Sequence, residues 1–416
     1  MPTYPNPRDK VAQCFHDDAG RTVATLSRLY GDIDLAEDAL QEAYVTALER
    51  WPQDGLPARP SAWILATARN RAIDRLRRER AGRDKLQRLA ILERALPDAG
   101  ATEGNALATI ADDRLGLIFA CCHPALGLQS RIALTLRTLA GLTTEEIADA
   151  FLVPHATMAQ RLVRTKRKIR DNAIPFDVPP AERLPQRLDD ICTVLYLIFN
   201  EGYAATSGDL VVRRELCDEA IRLCRVLLTL MPNEPEVMGL GALMLCADSR
   251  RDARTAPDGT LITLDAQDRS LWNRGEIAEA NALLIRAARY RDAGPYQLQA
   301  QIAREHASTI SGGETDWPQI VRLYALLEAQ VPSPIVALNR AFAVGFADGP
   351  ATGLAALDAL PRAALDDYYL FHAARGDVLR RLGRTEEADR AYAAAICRTQ
   401  NVVEQRYLHS RMSGSQ

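Results

Sequence analysis

The stretch from Leu142 to Arg170, LTTEEIADAFLVPHATMAQRLVRTKRKIR, constrains the fold more than any other part of the chain. It predicts two short helices joined by a tight turn. Thr143 and Glu146 have the spacing of a capping box, in which each side chain bonds an N–H that the first helical turn leaves unpaired. Because Pro154 prevents the first helix from continuing, a second helix is expected to begin near Ala156.

The second of these helices has an apolar face and a cationic face. On a 3.6-residue wheel the side chains expected to face inward are Met158, Leu162, Thr165 and Ile169. Those expected to face outward are Thr157, Gln160, Arg164, Arg167 and Lys168. From Arg161 to Arg170 there are six basic residues and no acidic one. A cationic run alone is typical of a solvated surface, but behind a capped helix and a tight turn it favours insertion into the DNA major groove.

Length and composition predict the fold class. A chain of 416 residues is long enough for about three domains with real cores. Strand signals are almost absent, whereas alanine, leucine, arginine and glutamate dominate. The sequence therefore predicts an all-α fold.

The net charge of −3 hides an uneven distribution. Residues 1–175 hold 25 Lys and Arg against 22 Asp and Glu, and the remainder holds 26 against 32. A protein that binds DNA through bulk charge would be more basic. Because the basic charge is concentrated in two helices, we expect modest affinity for naked DNA and a partner that assists binding.

Eight cysteines occur without a CxxC pair, mostly on apolar helix faces. This pattern is typical of reduced thiols in a cytoplasmic protein rather than of a disulfide framework. Cys121, Cys122 and His123 are adjacent and lack the spacing of a closed zinc site, so no metal and no cofactor are expected. The first ten residues lack a signal-peptide core, and no apolar run is long enough for a membrane span.

Two amphipathic helices are predicted before residue 52. The first covers residues 8–30, with candidate core positions Val11, Phe15, Val23, Leu26 and Leu29. The second is expected to be capped by Asp34 and to bury Leu40, Tyr44, Ala47, Leu48 and Trp51. Its outward acidic and amide side chains are Glu37, Asp38, Gln41, Glu42 and Glu49. Such a face either confers solubility or suits a basic protein partner.

A loop from Pro52 to Pro60 leads into the helix SAWILATARNRAIDRLRRER. Leu65, Ala68, Ala72 and Leu76 are expected to line its core face. The opposite face is expected to hold Trp63, Asn70, Arg71, Asp74, Arg77 and Arg78. Aromatic and amide groups interleaved with arginine suit single-stranded nucleic acid, because unstacked bases stack on rings while guanidinium groups pair with phosphates. For Trp63 considered alone, packing in the core is the alternative to nucleic-acid binding.

The remaining chain predicts a linker and a helical extension. Residues 81–110 lack periodicity, and IPFDVPP after Arg170 suggests a rigid exit. Helices are then expected over 187–203 and at roughly 209–231, 235–249, 274–291, 295–309 and 317–330, with a long irregular loop from 250 to 274. Helix pairs at 337–346 with 353–360 and at 368–382 with 385–399 partly match the tetratricopeptide repeat.

Three motifs in this order resemble bacterial RNA polymerase sigma factors of the extracytoplasmic-function type. They are AEDALQEAY, WILATARNRAIDRLRR and the segment 142–170. The resemblance continues through the motifs FACCHPAL, YLIFNEGY and QDRSLWNR. With these motifs the chain resembles the subgroup of sigma factors that carries a long tetratricopeptide-type extension. It implies sigma region 2 over residues 1–80, a linker over 81–110, sigma region 4 over 111–173 and a helical extension over 174–416.

The same resemblance implies roles for individual residues. Asp38, Gln41 and Glu42 would dock on the clamp helices of the polymerase's largest subunit, and region 4 on the flap of the second-largest. The opened −10 element would be held by Trp63, Asn70, Arg71, Asp74, Arg77 and Arg78. The −35 element would be read by Thr157, Gln160, Arg161 and Arg164, with Arg167 and Lys168 on phosphates. The extension would bind a protein or peptide, or serve as a helical scaffold that shields or positions the first half. Regulation built into the chain in this way puts a separate anti-sigma partner in doubt.

Two other classes of protein compete with this interpretation. A stand-alone transcriptional regulator would bind duplex DNA tightly without polymerase, as a dimer over two half-sites, but no dimerising helix is evident. An enzyme would need a catalytic motif. The sequence contains no Walker A loop, nucleophile elbow or HExxH, so no catalytic site is expected.

Overall fold

The computed structural model describes residues 7–79, 113–151, 153–203, 214–256, 260–290, 292–307, 315–399 and 401–412. The all-α prediction is confirmed: these residues form helices and connecting loops, with isolated bridge residues such as the antiparallel pair Thr255 and Leu261. The chain divides into an N-terminal unit, Met1–Val194, and a C-terminal unit, Leu195–Gln416. The predicted linker 81–110 lies outside the described residues. None of the described helices has the length and apolar content needed to cross a bilayer.

The N-terminal unit is built from helices of unequal length. They are α1 (Pro7–Tyr30), α2 (Ile33–Asp54), α3 (Pro60–Glu79), α4 (residues 113–121), α5 (Leu128–Thr138), α6 (Thr144–Ala150), α7 (His155–Asp171) and the first part of α8 (Leu184–Tyr203). The predicted core positions Val11, Val23, Leu26 and Leu29 of α1 are buried. The side chain of Phe15 lies outside the described residues.

Two details of α2 differ from the prediction. Its N-cap is Asp32, whose carboxylate accepts a hydrogen bond from the backbone N–H of Leu35 at 3.2 Å, so Asp34 belongs to the first turn instead. Leu48 was expected in the core but is 43 % exposed. Leu40, Tyr44, Ala47 and Trp51 are buried as predicted. The helix therefore keeps its apolar stripe and presents Leu48 at the surface.

The predicted pair of helices at 142–170 is confirmed as α6 and α7. The capping box forms in both directions: Thr143 N–H donates to Glu146 at 2.7 Å, and Glu146 N–H donates to Thr143 Oγ1 at 3.1 Å. Helix α7 begins directly after Pro154. Its inward side chains Met158, Leu162, Thr165 and Ile169 are buried as predicted.

The IPFDVPP segment packs more closely than a linker would. Ile174 and Phe176 are each 5 % exposed, and a Cβ placed on Gly116 of α4 would lie 2.1 Å from the carbonyl oxygen of Phe176. Arg131 of α5 also pairs with Asp190 of α8 at 2.7 Å. The segment after α7 and the start of α8 thus contribute to the core of the N-terminal unit.

The C-terminal unit continues from α8 as a series of helices. They are α9 (Arg214–Leu230), α10 (Pro235–Asp248), α11 (Arg274–Ala287), α12 (Pro295–Ala307), α13 (Trp317–Gln330), α14 (Pro334–Ala347), α15 (Pro350–Asp358), α16 (Arg362–Leu365), α17 (Tyr369–Arg381), α18 (Thr385–Ile396) and α19 (Val402–Arg411). The predicted start of α9 near residue 209 lies outside the described residues. The loop predicted at 250–274 contains two 3₁₀ turns, Arg251–Ala253 and Arg269–Leu271. The sequence prediction missed α16 and α19.

Helices α17 and α18 are joined by a tight turn at Gly383, whose φ is 74°. Ala388, Tyr392 and Ala395 of α18 are buried as predicted. The ring of Tyr392 lies directly over Gly376 of α17, and its hydroxyl donates to Asp377 at 2.6 Å. A glycine is needed at this position because any side chain would occupy the space of the ring.

Substituting Gly376→Ala should destabilise the C-terminal unit. A Cβ there would lie 2.7 Å from Tyr392 Cε1, and such overpacking costs about 1–3 kcal/mol. The matched control is Gly20→Ala in α1, where no atom lies within 4 Å of the new Cβ. The control should be neutral or stabilising by up to about 1 kcal/mol. Urea unfolding followed by circular dichroism measures both, and equal midpoints would contradict the packing assignment.

Candidate nucleic-acid interface

The outward face of α7 is available to a ligand. Thr157, Gln160, Arg164, Arg167 and Lys168 are exposed, and Arg161 is half-buried. The contacts that join these side chains stay within the helix: Arg164 donates to Gln160 at 3.3 Å, and Arg167 pairs with Asp171 at 3.3 Å. Near its N-terminal end this face carries hydrogen-bond donors and acceptors that suit base edges. Farther along the helix it carries cations.

Lys166 behaves differently from its neighbours on α7. Its ammonium lies 2.7 Å from the carboxylate of Glu37 and 3.0 Å from that of Asp34, and its side chain is only 11 % exposed. Burial lowers the pKa of Lys166, but the two carboxylates of α2 raise it by more, so the net shift is upward. This lysine is therefore charged and held against α2 rather than offered to a ligand.

Further contacts join α7 and its neighbours to the first helices. Arg170 pairs with Asp32 at 3.4 Å, and the Thr138 hydroxyl of α5 lies 3.4 Å from Glu37. Arg28 of α1 pairs with Asp113, whose side chain is 2 % exposed. The sequence prediction placed Glu37 on a free acidic face, and it missed these contacts entirely.

The exposed part of α3 holds most of the predicted single-strand contacts. Asn70, Asp74, Arg77 and Arg78 are exposed. Trp63 is half-buried, and its ring meets that of Trp51 edge to face, with centroids 5.6 Å apart. Trp63 therefore packs against α2 as the alternative predicted, and it is only partly buried.

Arg71 and Arg75 of α3 reach toward α2. Arg71 donates to Thr46 Oγ1 at 3.3 Å and lies 3.8 Å from the Glu42 carboxylate, while Arg75 pairs with Asp38 at 2.7 Å. All of these charged groups are more than one-third exposed, so each ion pair contributes little to stability. The pairs instead fix where the carboxylates point.

An open groove between α2 and α3 brings the predicted docking residues together. Its volume is about 520 Å³, and its lining residues are Asp38, Gln41, Glu42, Val45, Thr46, Glu49, Arg71 and Arg75. Val45 is 54 % exposed, and Leu48 of the same helix is 43 % exposed. The groove thus combines carboxylates with the exposed side chain of Val45.

The Cys121–Cys122–His123 stretch serves packing. Both cysteines are buried, and burial raises the pKa of the Cys122 thiol to about 11. The Cys122 sulfur lies 3.7 Å from Thr135 Oγ1, and His123 Nδ1 accepts the backbone N–H of Ala125 at 3.1 Å. Cys122 and His123 each have a partner of their own, and no set of three metal ligands converges within the described ranges.

Comparison with known proteins decides the family. Residues 15–82 match the family described as sigma-70 region 2, and residues 117–169 match sigma-70 region 4. The chain belongs to the sigma-70 factors of the extracytoplasmic-function type. It is an alternative sigma factor, a protein that directs transcription initiation. Residues 187–288 match a further family whose function is unknown, named DUF6596.

Two of the similar proteins are named as ECF sigma factors, and a third is uncharacterized. An uncharacterized protein of Rhizobium meliloti is 43 % identical over 394 residues, which cover 94 % of this chain and 92 % of the relative. The ECF RNA polymerase sigma factor SigK of Mycobacterium ulcerans is 27 % identical over 39 % of this chain and 86 % of its own length. The probable ECF sigma factor SigI of Mycobacterium tuberculosis is 24 % identical over 51 % and 69 %. No solved structure matches the chain significantly.

Proposed function

We propose that this sigma factor binds core RNA polymerase through the groove between α2 and α3. The observation that carries the proposal is the alignment of Asp38, Gln41 and Glu42 along one open groove beside exposed Val45. Carboxylates at the rim steer a basic partner, and the apolar surface supplies contact area once water leaves. The expected partner surface is the pair of clamp helices of the largest polymerase subunit, in the cytoplasm.

Helix α3 is the proposed contact for the opened −10 element. Asn70, Asp74, Arg77 and Arg78 are exposed along it, and Trp63 offers part of its ring for base stacking. Arg71 joins this set only if its guanidinium leaves Thr46 and Glu42, so in the free protein it positions the docking carboxylates. Capture of unstacked bases would supply free energy for strand opening, while the polymerase performs the nucleotidyl transfer.

Helix α7 is the proposed reader of the −35 element. Thr157, Gln160 and Arg164 lie on its exposed face, with Arg161 at the edge, where side chains reach base edges in the major groove. Arg167 and Lys168 lie farther along the helix and suit phosphates. Region 4 would at the same time contact the flap of the second-largest polymerase subunit.

The extension from residue 174 is proposed to bind a protein or peptide through tetratricopeptide-like repeats. The pair formed by α17 and α18, with Tyr392 packed over Gly376, supports this proposal. The rings of Trp317 and Phe346 stack 4.2 Å apart on the same unit, Arg381 lies over the Phe346 ring, and Phe346 is 37 % exposed. This extension would regulate promoter use without catalysing a reaction.

Charge reversal in the groove should weaken polymerase binding. The double variant Asp38→Lys and Glu42→Lys should lose about tenfold or more in affinity for core polymerase, because like charges across an interface repel. Pull-down titration and transcription from a supercoiled template measure the effect, with circular dichroism to verify folding. The matched control, Asp54→Lys at the far end of α2, should retain both activities. Unchanged affinity in the double variant would refute the docking assignment.

Substitutions on α7 should separate base reading from phosphate binding. Arg164→Ala should cost about 1–3 kcal/mol at one base pair of the −35 element and relax the preference there. Lys168→Ala should weaken binding equally on all promoter sequences. It should also lower the salt dependence of the binding affinity by the amount that corresponds to about one phosphate contact. Holoenzyme binding to a panel of single-base promoter variants at two salt concentrations distinguishes these outcomes. The same specificity profile for wild type and Arg164→Ala would contradict the assignment.

A further inference from the structure

Three arginines follow α10 at positions 250, 251 and 254, and they differ in what they bind. Arg251 holds both carboxylate oxygens of Asp248, at 2.8 and 2.6 Å. Arg250 instead donates to the Tyr203 hydroxyl at 2.6 Å, and Arg254 donates to the backbone carbonyl oxygen of Tyr203. Within the part of the chain that the structure describes, neither Arg250 nor Arg254 forms an ion pair with a carboxylate.

Both of these guanidinium groups lie against the same tyrosine, the last residue of α8. The guanidinium carbon of Arg254 is 3.7 Å from the ring centroid of Tyr203, and that of Arg250 is 6.0 Å from it. The two carbons are therefore no farther apart than these two distances combined. An arginine has five N–H donors, so one hydrogen bond to Tyr203 leaves most donors of each guanidinium group available.

The surroundings of the two arginines are electrostatically positive. Burial lowers the pKa of His306 to about 4, and the charges of Arg250 and Arg269 contribute to this shift. Burial also lowers the pKa of Arg254, and Arg250 adds to the effect, while the more remote carboxylate of Glu404 acts against it. Both arginines nevertheless stay charged, because a guanidinium group does not lose its proton in proteins.

We propose that Arg250 and Arg254 bind the phosphoryl group of a small molecule, with Tyr203 between them. A partly buried cation without a counter-ion costs free energy, which a bound anion recovers. A phosphoryl group supplies up to two negative charges and three acceptor oxygens, which match two guanidinium groups. A carboxylate carries one negative charge and matches one guanidinium group. The site lies within residues 187–288, whose matching family has unknown function.

Backbone phosphates of DNA are a competing source of the same chemical group. Arg250 and Arg254 are only partly exposed, whereas the cations on the outward face of α7 project to the surface. The residues after position 175 hold 26 Lys and Arg against 32 Asp and Glu, so this part of the chain repels a polyanion. Partial burial and acidic surroundings both favour a small free ligand over a duplex.

Calorimetric titration of the full chain at constant ionic strength tests the site, with pyrophosphate, inorganic phosphate and acetate as probes. Pyrophosphate should bind with a dissociation constant of about 1 mM or lower. Acetate should bind at least about tenfold more weakly than inorganic phosphate, because it cannot neutralise both arginines. Absence of pyrophosphate binding, or equal affinity for acetate and inorganic phosphate, would overturn the proposal.

Substitutions assign the binding to the two arginines. Arg250→Gln and Arg254→Gln should each weaken pyrophosphate binding about tenfold or more, because each removes charge-assisted hydrogen bonds. The matched control is Arg289→Gln, which removes the same charge from an exposed position after α11 and should keep wild-type affinity. Circular dichroism verifies folding. If Arg254→Gln does not fold, Arg250→Gln decides, since its side chain donates only to the Tyr203 hydroxyl among the described residues.

Wild-type affinity in Arg250→Gln, or an equal loss in Arg289→Gln, would place the binding elsewhere and overturn the proposal. A competition experiment separates the two phosphate sources. Addition of a short nonspecific DNA duplex should leave pyrophosphate binding to the full chain unchanged. Displacement of pyrophosphate by the duplex would show that the site takes DNA phosphates and would overturn the assignment to a small molecule.

Discussion

Carboxylates on the first half of α2 meet cations from two other helices, and the arrangement of the N-terminal unit depends on this convergence. Glu37 faces Lys166, and Asp38 faces Arg75 on the neighbouring helix. The Arg75–Asp38 pair contributes little to stability because both side chains are more than one-third exposed, whereas the Lys166–Glu37 pair is largely buried. The two pairs place Lys166 of α7 and Arg75 of α3 beside α2, while the outward face of α7 stays exposed.

The sequence predicted helices and their ends well where interactions between neighbouring residues determine them. The capping box of Thr143 and Glu146 and the buried seam of α7 need only neighbouring residues, and both are confirmed. The N-cap of α2 was assigned two residues late, because Asp32 and Asp34 are equally suited by type. Leu48 was assigned to the core because the helical wheel cannot show that α3 leaves this flank uncovered.

The sequence could not predict which residues pair when they lie far apart along the chain. Lys166 lies four residues after buried Leu162, at the edge of the apolar seam, and this position is the one sequence signal that its side chain turns inward. Nothing local identifies Asp34 and Glu37, more than a hundred residues earlier, as its partners. The burial of Phe176 likewise depends on close approach to Gly116, which sequence periodicity does not reveal.

In the proposed mechanism the two modules act together only when a polymerase positions them, and footprinting on a supercoiled promoter tests this most directly. The full chain, core polymerase and their mixture are compared by nuclease protection at −35 and by permanganate reactivity of unpaired thymines at −10. The account predicts joint protection and opening with the mixture, and no specific protection by the chain alone at the same concentration. Firm protection of duplex DNA by the chain alone, unchanged by polymerase, would contradict it.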